Sequence, residues 1–166
     1  MEDFLRVMDQ YHRTINSRGL PALLLAGGHW FQGRASSDGD DCARQWRDKH
    51  RPTARECYYN AQSFCLDHEE ARYFEGYVFF TGLVLPAEHA WTAMADGKVV
   101  DFTLEAAELI GKQERLPCDT RDTLYVGLEV PTEFIRAAML RREWFDSLAE
   151  EYFERQREES ASDSSG

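Results

Sequence analysis

No apolar run in this 166-residue chain approaches the roughly 20 residues that cross a bilayer as a helix. The opening stretch, MEDFLRVMDQYHRTI, carries acids early and has no apolar core of the signal-peptide kind. Both absences lead us to expect a cytoplasmic protein with no membrane partner. The four cysteines, Cys42, Cys57, Cys65 and Cys118, contain no C-x-x-C pair. That spacing argues against a structural zinc site, and in a reducing compartment these residues should be free thiols. Basic charge is also scarce, with 19 Lys and Arg against 30 Asp and Glu, for a net charge of -11. A mean field of that sign repels phosphate, so neither nucleic acid nor an anionic membrane is an expected partner. Cations gather in one place, at Arg44, Arg47, Lys49, Arg51 and Arg55, and that run reads as a solvated loop face. There is no internal repeat.

Hydrophobic residues make up 43% and aromatics 13%, which suits one globular domain over residues 1–158. The last eight residues, ESASDSSG (159–166), read as a disordered acidic tail. Residues 2–18 repeat Phe4, Leu5, Met8, Tyr11, His12 and Ile15 at helical spacing, with a stop at Gly19-Leu20-Pro21. LPALLLAGG is compatible with a short helix closed by Gly27-Gly28 and equally with a buried strand. GRASSDGDD reads as a loop. A capping box, Thr53 with Glu56, predicts a helix over residues 54–68, with Cys57 in its first turn and Tyr58, Ala61, Phe64 and Cys65 on its buried face. Strands are expected at residues 72–85, in EHAWTAMA and KVVDFT around Asp96-Gly97, and at 124–130. Pro131-Thr132 then opens one long helix, about 133–157. Helices, then strands, then a helix predict an α+β domain with an antiparallel sheet.

The hairpin EHAWTAMADGKVVDFT decides whether His89 and Asp101 act together. A two-residue Asp96-Gly97 turn pairs Ala95 with Lys98 and turns Asp101 away from His89. A three-residue loop, Ala95-Asp96-Gly97, pairs Met94 with Lys98 and needs Gly97 in the left-handed conformation. His89 and Asp101 then become diagonal neighbours on one face. Both turns are open to this sequence.

A carboxylate beside His89 would fix its tautomer, and what the pair lacks is a nucleophile. Cys57 fits, because a helix N-terminus and a nearby imidazolium both favour a thiolate. Cys57 would attack an acyl carbonyl, His89 would manage the proton and Asp101 would orient His89. Backbone N–H groups at the helix start can hold the oxyanion, with Gln45, Gln32 or Asn60 as candidates for a second donor. Trp91 is placed to line the site and exclude water. Taken singly, each residue has a plainer use. Cys57 suits a small buried hydrophobe, His89 a core histidine, Trp91 a core aromatic, and Asp101 a cap for the helix that DFTLEAAELI begins. Glu75, on an expected central strand, needs a partner if buried, and Arg55 or Arg121 would serve.

C-x-x-N-A (Cys57, Asn60, Ala61), E-G-Y (Glu75–Tyr77), H-A-W (His89–Trp91) and D-G-x-V-x-D-x-T (Asp96–Thr103) together resemble the core of the transglutaminase-like and papain-like cysteine superfamily. The last two elements also resemble small bacterial members such as the leader peptidases of lasso-peptide pathways. The similarity spans roughly residues 54–104. It implies a central helix carrying the nucleophile Cys57, packed on an antiparallel sheet that carries the base His89 and the orienter Asp101. It also implies a peptide or protein substrate, with no cofactor and no metal. Residues 1–53 match no substrate lobe.

Two other functions fit the sequence. One is an inactive binding protein on the same scaffold, with Trp144, Phe145, Tyr152 and Phe153 of the final helix forming a homodimer or partner surface. The other is a metal site built on Cys57 and His89, which the lack of clustered ligand spacing argues against.

Overall fold

The computed structural model describes residues 1–14, 19–81, 85–114, 119–142 and 144–163. Ile15 and Cys118 lie outside these, as do the side chains of Tyr11, His12 and Arg121. Four helices come first: α1 (Glu2–Thr14), α2 (Leu20–Gly27), α3 (Asp41–His50) and α4 (Cys57–Asp67). Strand β1 (His29–Gln32) and a 3-10 turn (Ser37–Gly39) lie between α2 and α3. Then come β2 (Arg72–Thr81), β3 (Ala87–Ala93), β4 (Val99–Val100), α5 (Phe102–Glu114), β5 (Asp119–Val130), α6 (Thr132–Met139) and α7 (Ala149–Asp163). The domain is α+β. Its sheet has the order β1-β5-β2-β3-β4, with every neighbouring pair antiparallel. No described helix is long and apolar enough to cross a membrane.

Side-chain alternation along the strands separates two cores. Phe74, Val78, Trp91, Val99 and Tyr125 cluster with Leu104 of α5. Tyr73, Tyr77, Ala90, Val126, Leu128 and Val130 join residues of α1, α2, α3, α4 and α6. Helix α4 buries Ala61, Phe64 and Cys65 as expected, with Tyr58 partly buried beside them. Burial pushes the Cys65 thiol above its ordinary range, which leaves it an inert core residue.

The N-terminal half differs from the reading of its composition. LPALLLAG is a helix, with Pro21 in its first turn, where a missing N–H costs nothing. Edge strand β1 and helix α3 give no clear periodic signal. GRASSDGDD is not a free loop. Ser37 is fully buried, and its N–H and hydroxyl donate to the two oxygens of Glu105 on α5 at 2.7 and 2.6 Å. Arg34 pairs with Glu105 and Glu108. The basic run lies largely on α3, where Arg44 pairs with Asp41, and Arg47 with Asp38 and Asp48.

The expected capping box is not formed. Helix α4 starts three residues later, at Cys57, and Glu56 precedes it without a side-chain capping bond. The Thr53 carbonyl instead accepts from the side chain of Asn60. KVVDFT gives only a two-residue strand, because Asp101 ends β4 and caps α5 through its Oδ1, which accepts from the Leu104 N–H at 3.0 Å.

The long C-terminal helix is broken in two, and Glu75 explains the break. This carboxylate is 1% exposed on the central strand β2. Its Oε1 accepts from the Tyr73 hydroxyl (2.6 Å) and the Leu148 N–H (2.7 Å). Its Oε2 accepts from the Ser147 hydroxyl (2.6 Å) and the Ala149 N–H (3.1 Å). A continuous helix would spend those N–H groups internally, whereas a fresh helix start offers them together with its positive end. Among the described residues the partner of Glu75 is thus the start of α7; Arg55, one of the two arginines expected from sequence, is exposed, and the Arg121 side chain lies outside the described set. Helix α7 also runs through Asp163, into the stretch that composition assigns to a tail; residues 164–166 lie outside the described set.

Candidate active site

The hairpin takes the three-residue loop. The Met94 N–H donates to the Lys98 carbonyl at 2.9 Å, and the Gly97 N–H to the Met94 carbonyl at 2.8 Å. Gly97 has φ of +83°, the left-handed conformation this loop requires. Thr92 faces Val100, and Ala93 faces Val99. Carried two residues beyond Ala93 and Val99, this register sets Asp101 opposite Trp91 and makes His89 its diagonal neighbour. His89 Nε2 lies 2.8 Å from Asp101 Oδ2, with the two side chains 8% and 1% exposed.

Asp101 thus does both jobs that its sequence context allowed. One oxygen caps α5 and the other holds the histidine. The Tyr125 hydroxyl, from β5, donates to the same Oδ2 at 3.2 Å. Tyr125 was not a candidate from sequence. Its position on the Trp91 side of the sheet is the only signal, and that needs the register of β5 to be known first.

Cys57 completes the set. It is half-buried at the first position of α4, near enough to His89 to contribute to the charge balance of that ring. Nε2 is committed to Asp101, so Nδ1 is the nitrogen left to face the sulfur. Burial opposes charge on this ring, but Asp101, through its charge and its hydrogen bond, and then Cys57 outweigh it. Together they raise the imidazole pKa from 6.5 to about 10. A ring held by a carboxylate next to a thiol is the arrangement in which an imidazole can exchange a proton with a nucleophile. The first N–H groups of a helix have no partner within it, and α4 has no side-chain cap. An anionic oxygen beside Cys57 would meet these donors.

Trp91 packs behind the histidine. It is 1% exposed, and its ring lies nearly parallel to that of His89, centroids 6.4 Å apart. It also contacts Phe74, Phe31 and Tyr125. Its Nε1 is buried without a hydrogen-bond partner among the described residues. Gly127 makes room for it, since a Cβ there would sit 2.5 Å from the indole.

The three candidates for a second oxyanion donor are placed differently. Asn60 is buried, and its amide donates to the Thr53 carbonyl and the Thr103 hydroxyl, both at 2.8 Å. These bonds tie the start of α4 to α5 and occupy the amide hydrogens. Gln32 is exposed on β1, which β5 and β2 separate from β3. Gln45 is exposed on α3, and no hydrogen bond among the described residues links it to Cys57 or His89. The aromatics expected to form a partner surface are mostly used internally. Phe145 packs edge-on against Tyr59, and Tyr152 lies between Phe134 and Phe153. Trp144 alone of the four is exposed, at 63%.

A cleft of about 590 Å³ borders the start of α4. Tyr58, Tyr59, Trp144 and Phe145 give it aromatic walls, and Arg51, Arg55 and Glu56 give it charges of both signs. A larger cavity, about 1010 Å³, lies between α3 and α5. Neither is lined by Cys57, His89 or Asp101, but the smaller one reaches Glu56 and Tyr58, the chain neighbours of Cys57.

Compared with protein-family models, curated proteins and solved structures, the chain matches none.

Proposed function

We propose that this chain is a cysteine-dependent acyl-group enzyme that acts on an amide of a peptide or protein. The observation that carries the proposal is the buried His89–Asp101 pair at 2.8 Å, with Cys57 at the start of α4 near enough to influence the charge of the ring. Its papain-like or transglutaminase-like character rests on the motif resemblance together with this arrangement. The Cys57 thiolate adds to the carbonyl carbon, and the helix-start N–H groups receive the developing oxyanion. The C–N bond then breaks, the amine leaves with a proton from His89, and a thioester remains on Cys57. Water or a second amine, deprotonated by His89, attacks the thioester; the C–S bond breaks, the acid or new amide leaves, and the Cys57 thiolate and protonated His89 are restored. Hydrolysis, deamidation and acyl transfer share these steps and differ in the acceptor. Asp101 holds His89 in one orientation. Trp91 keeps water off the ring.

The cleft beside α4 suits the acyl donor. Its aromatic walls fit an apolar side chain.

A panel of electrophilic acyl probes, read by intact mass, tests the proposal. We expect one adduct, on Cys57, formed much faster than any on Cys42 although Cys42 is more exposed. His89→Ala should slow it sharply at mildly acidic pH. Equal labelling of the two cysteines, unaffected by His89→Ala, would refute the enzyme. It would leave the scaffold as a binding protein, with Trp144 as its exposed contact.

A further inference from the structure

Cys42, His68 and Glu70 lie together on the surface, away from the Cys57 site. One ligand atom from each, the sulfur, a ring nitrogen and a carboxylate oxygen, fall within 4.8 Å of one another. Sequence spacing hides this group. Cys42 stands at the start of α3, His68 is the C-cap of α4, and Glu70 is in the turn that follows.

Several features fit a metal better than chance proximity. His68 Nδ1 and Glu70 Oε1 are 3.6 Å apart. That is too long for a hydrogen bond. It is close to the roughly 3.3–3.8 Å that separates ligand atoms around a tetrahedral ion with bonds of about 2.0–2.3 Å. Cys42 is a free thiol. The supports are already ordered. The His68 ring packs on Phe64 with centroids 4.5 Å apart, and its backbone is held by bonds to Phe64 and from Ala71. The start of α3 is held near the end of α4 by Trp46, which packs on Phe64 and donates to Asp67 at 3.0 Å. Binding would therefore order only the three side chains.

We propose that Cys42, His68 and Glu70 bind one divalent transition-metal ion, with zinc the best match to a thiolate, an imidazole and a carboxylate. Three protein ligands on an accessible surface leave a fourth position for water or another donor. The ion would join α3 to the end of α4 and stabilise the folded state in proportion to metal concentration.

Cobalt(II) titration of the full chain, freed of metal and reduced, tests this. We expect a thiolate-to-cobalt charge-transfer band that saturates at one ion per chain and is displaced by zinc. Cys42→Ser should abolish the band. His68→Gln should weaken binding by at least the roughly tenfold typical of losing even an outer-shell partner. Cys57→Ser should leave the band intact. Zinc should raise the unfolding temperature of the parent chain but not of Cys42→Ser. The proposal is overturned if no band forms, if the band survives Cys42→Ser, or if Cys57→Ser removes it, which would place the ion at the other thiol. The acyl-probe result does not bear on it, because neither Cys42 nor His68 touches His89.

Discussion

His89 and Asp101 meet through Nε2 and Oδ2 at 2.8 Å, with both side chains shut away from water. Asp101 is held at its other oxygen by the Leu104 N–H and cannot swing away. A fixed carboxylate fixes the ring, and a fixed ring presents its second nitrogen to Cys57.

Replacing Asp101 with Asn should therefore separate its two roles. Asn is a good helix cap, so the start of α5 should survive. The charge beside His89 is lost, and the imidazole pKa should drop well below its present value of about 10. NMR titration of the ring protons measures this directly. An unchanged His89 pKa would mean that the carboxylate does not control the ring.

Stability should depend on pH through the same pair. The folded pKa of His89 is raised from 6.5 to about 10, so the folded state holds this proton more tightly than the unfolded chain. The resulting stabilisation is complete below about 6.5 and disappears as pH climbs through about 10. Urea midpoints measured across that window should fall for the parent chain. They should fall less for His89→Gln, and parallel curves would count against the assignment.

Glu75→Gln should destabilise the fold. Each carboxylate oxygen accepts from one hydroxyl and one backbone N–H. An amide must turn its NH2 toward one of those donors, at a cost of about 1–3 kcal/mol. Hydrogen exchange should show extra opening at the start of α7. Exchange rates there matching the parent would show that the carboxylate is not the cap.

Gly127→Ala tests the fit of Trp91. The new methyl overlaps the indole, and overpacking of this kind costs about 1–3 kcal/mol. Trp91→Phe should recover part of that loss in the double variant. A strictly additive pair would mean that the two do not meet.

Much of this was legible beforehand because it depends on local periodicity. The apolar spacing of α4 fixed its buried face, and β-branched and aromatic density marked β2, β3 and β5. Gly97 permitted the three-residue loop, and the order Cys57, His89, Asp101 suggested a set. What escaped the sequence depends on partners distant along the chain. GRASSDGDD looks solvated until Glu105 of α5 takes the Ser37 hydroxyl. Asn60 looks free to donate until Thr53 and Thr103 occupy it. Residues 133–157 look like one helix because nothing in that stretch reveals a buried carboxylate that needs a helix start.

The sequence by itself determined which segments could bury a face, that the net charge is strongly acidic, and that a thiol, an imidazole and a carboxylate occur in an order compatible with catalysis. Only the tertiary structure decided the hairpin register, the break before α7 and the two-sided use of Asp101. The break before α7 satisfies a buried carboxylate with donors 72–74 residues away, of which local propensity carries no record. The register and the use of Asp101 are choices between two locally permitted arrangements, made when His89 and Asp101 are buried together.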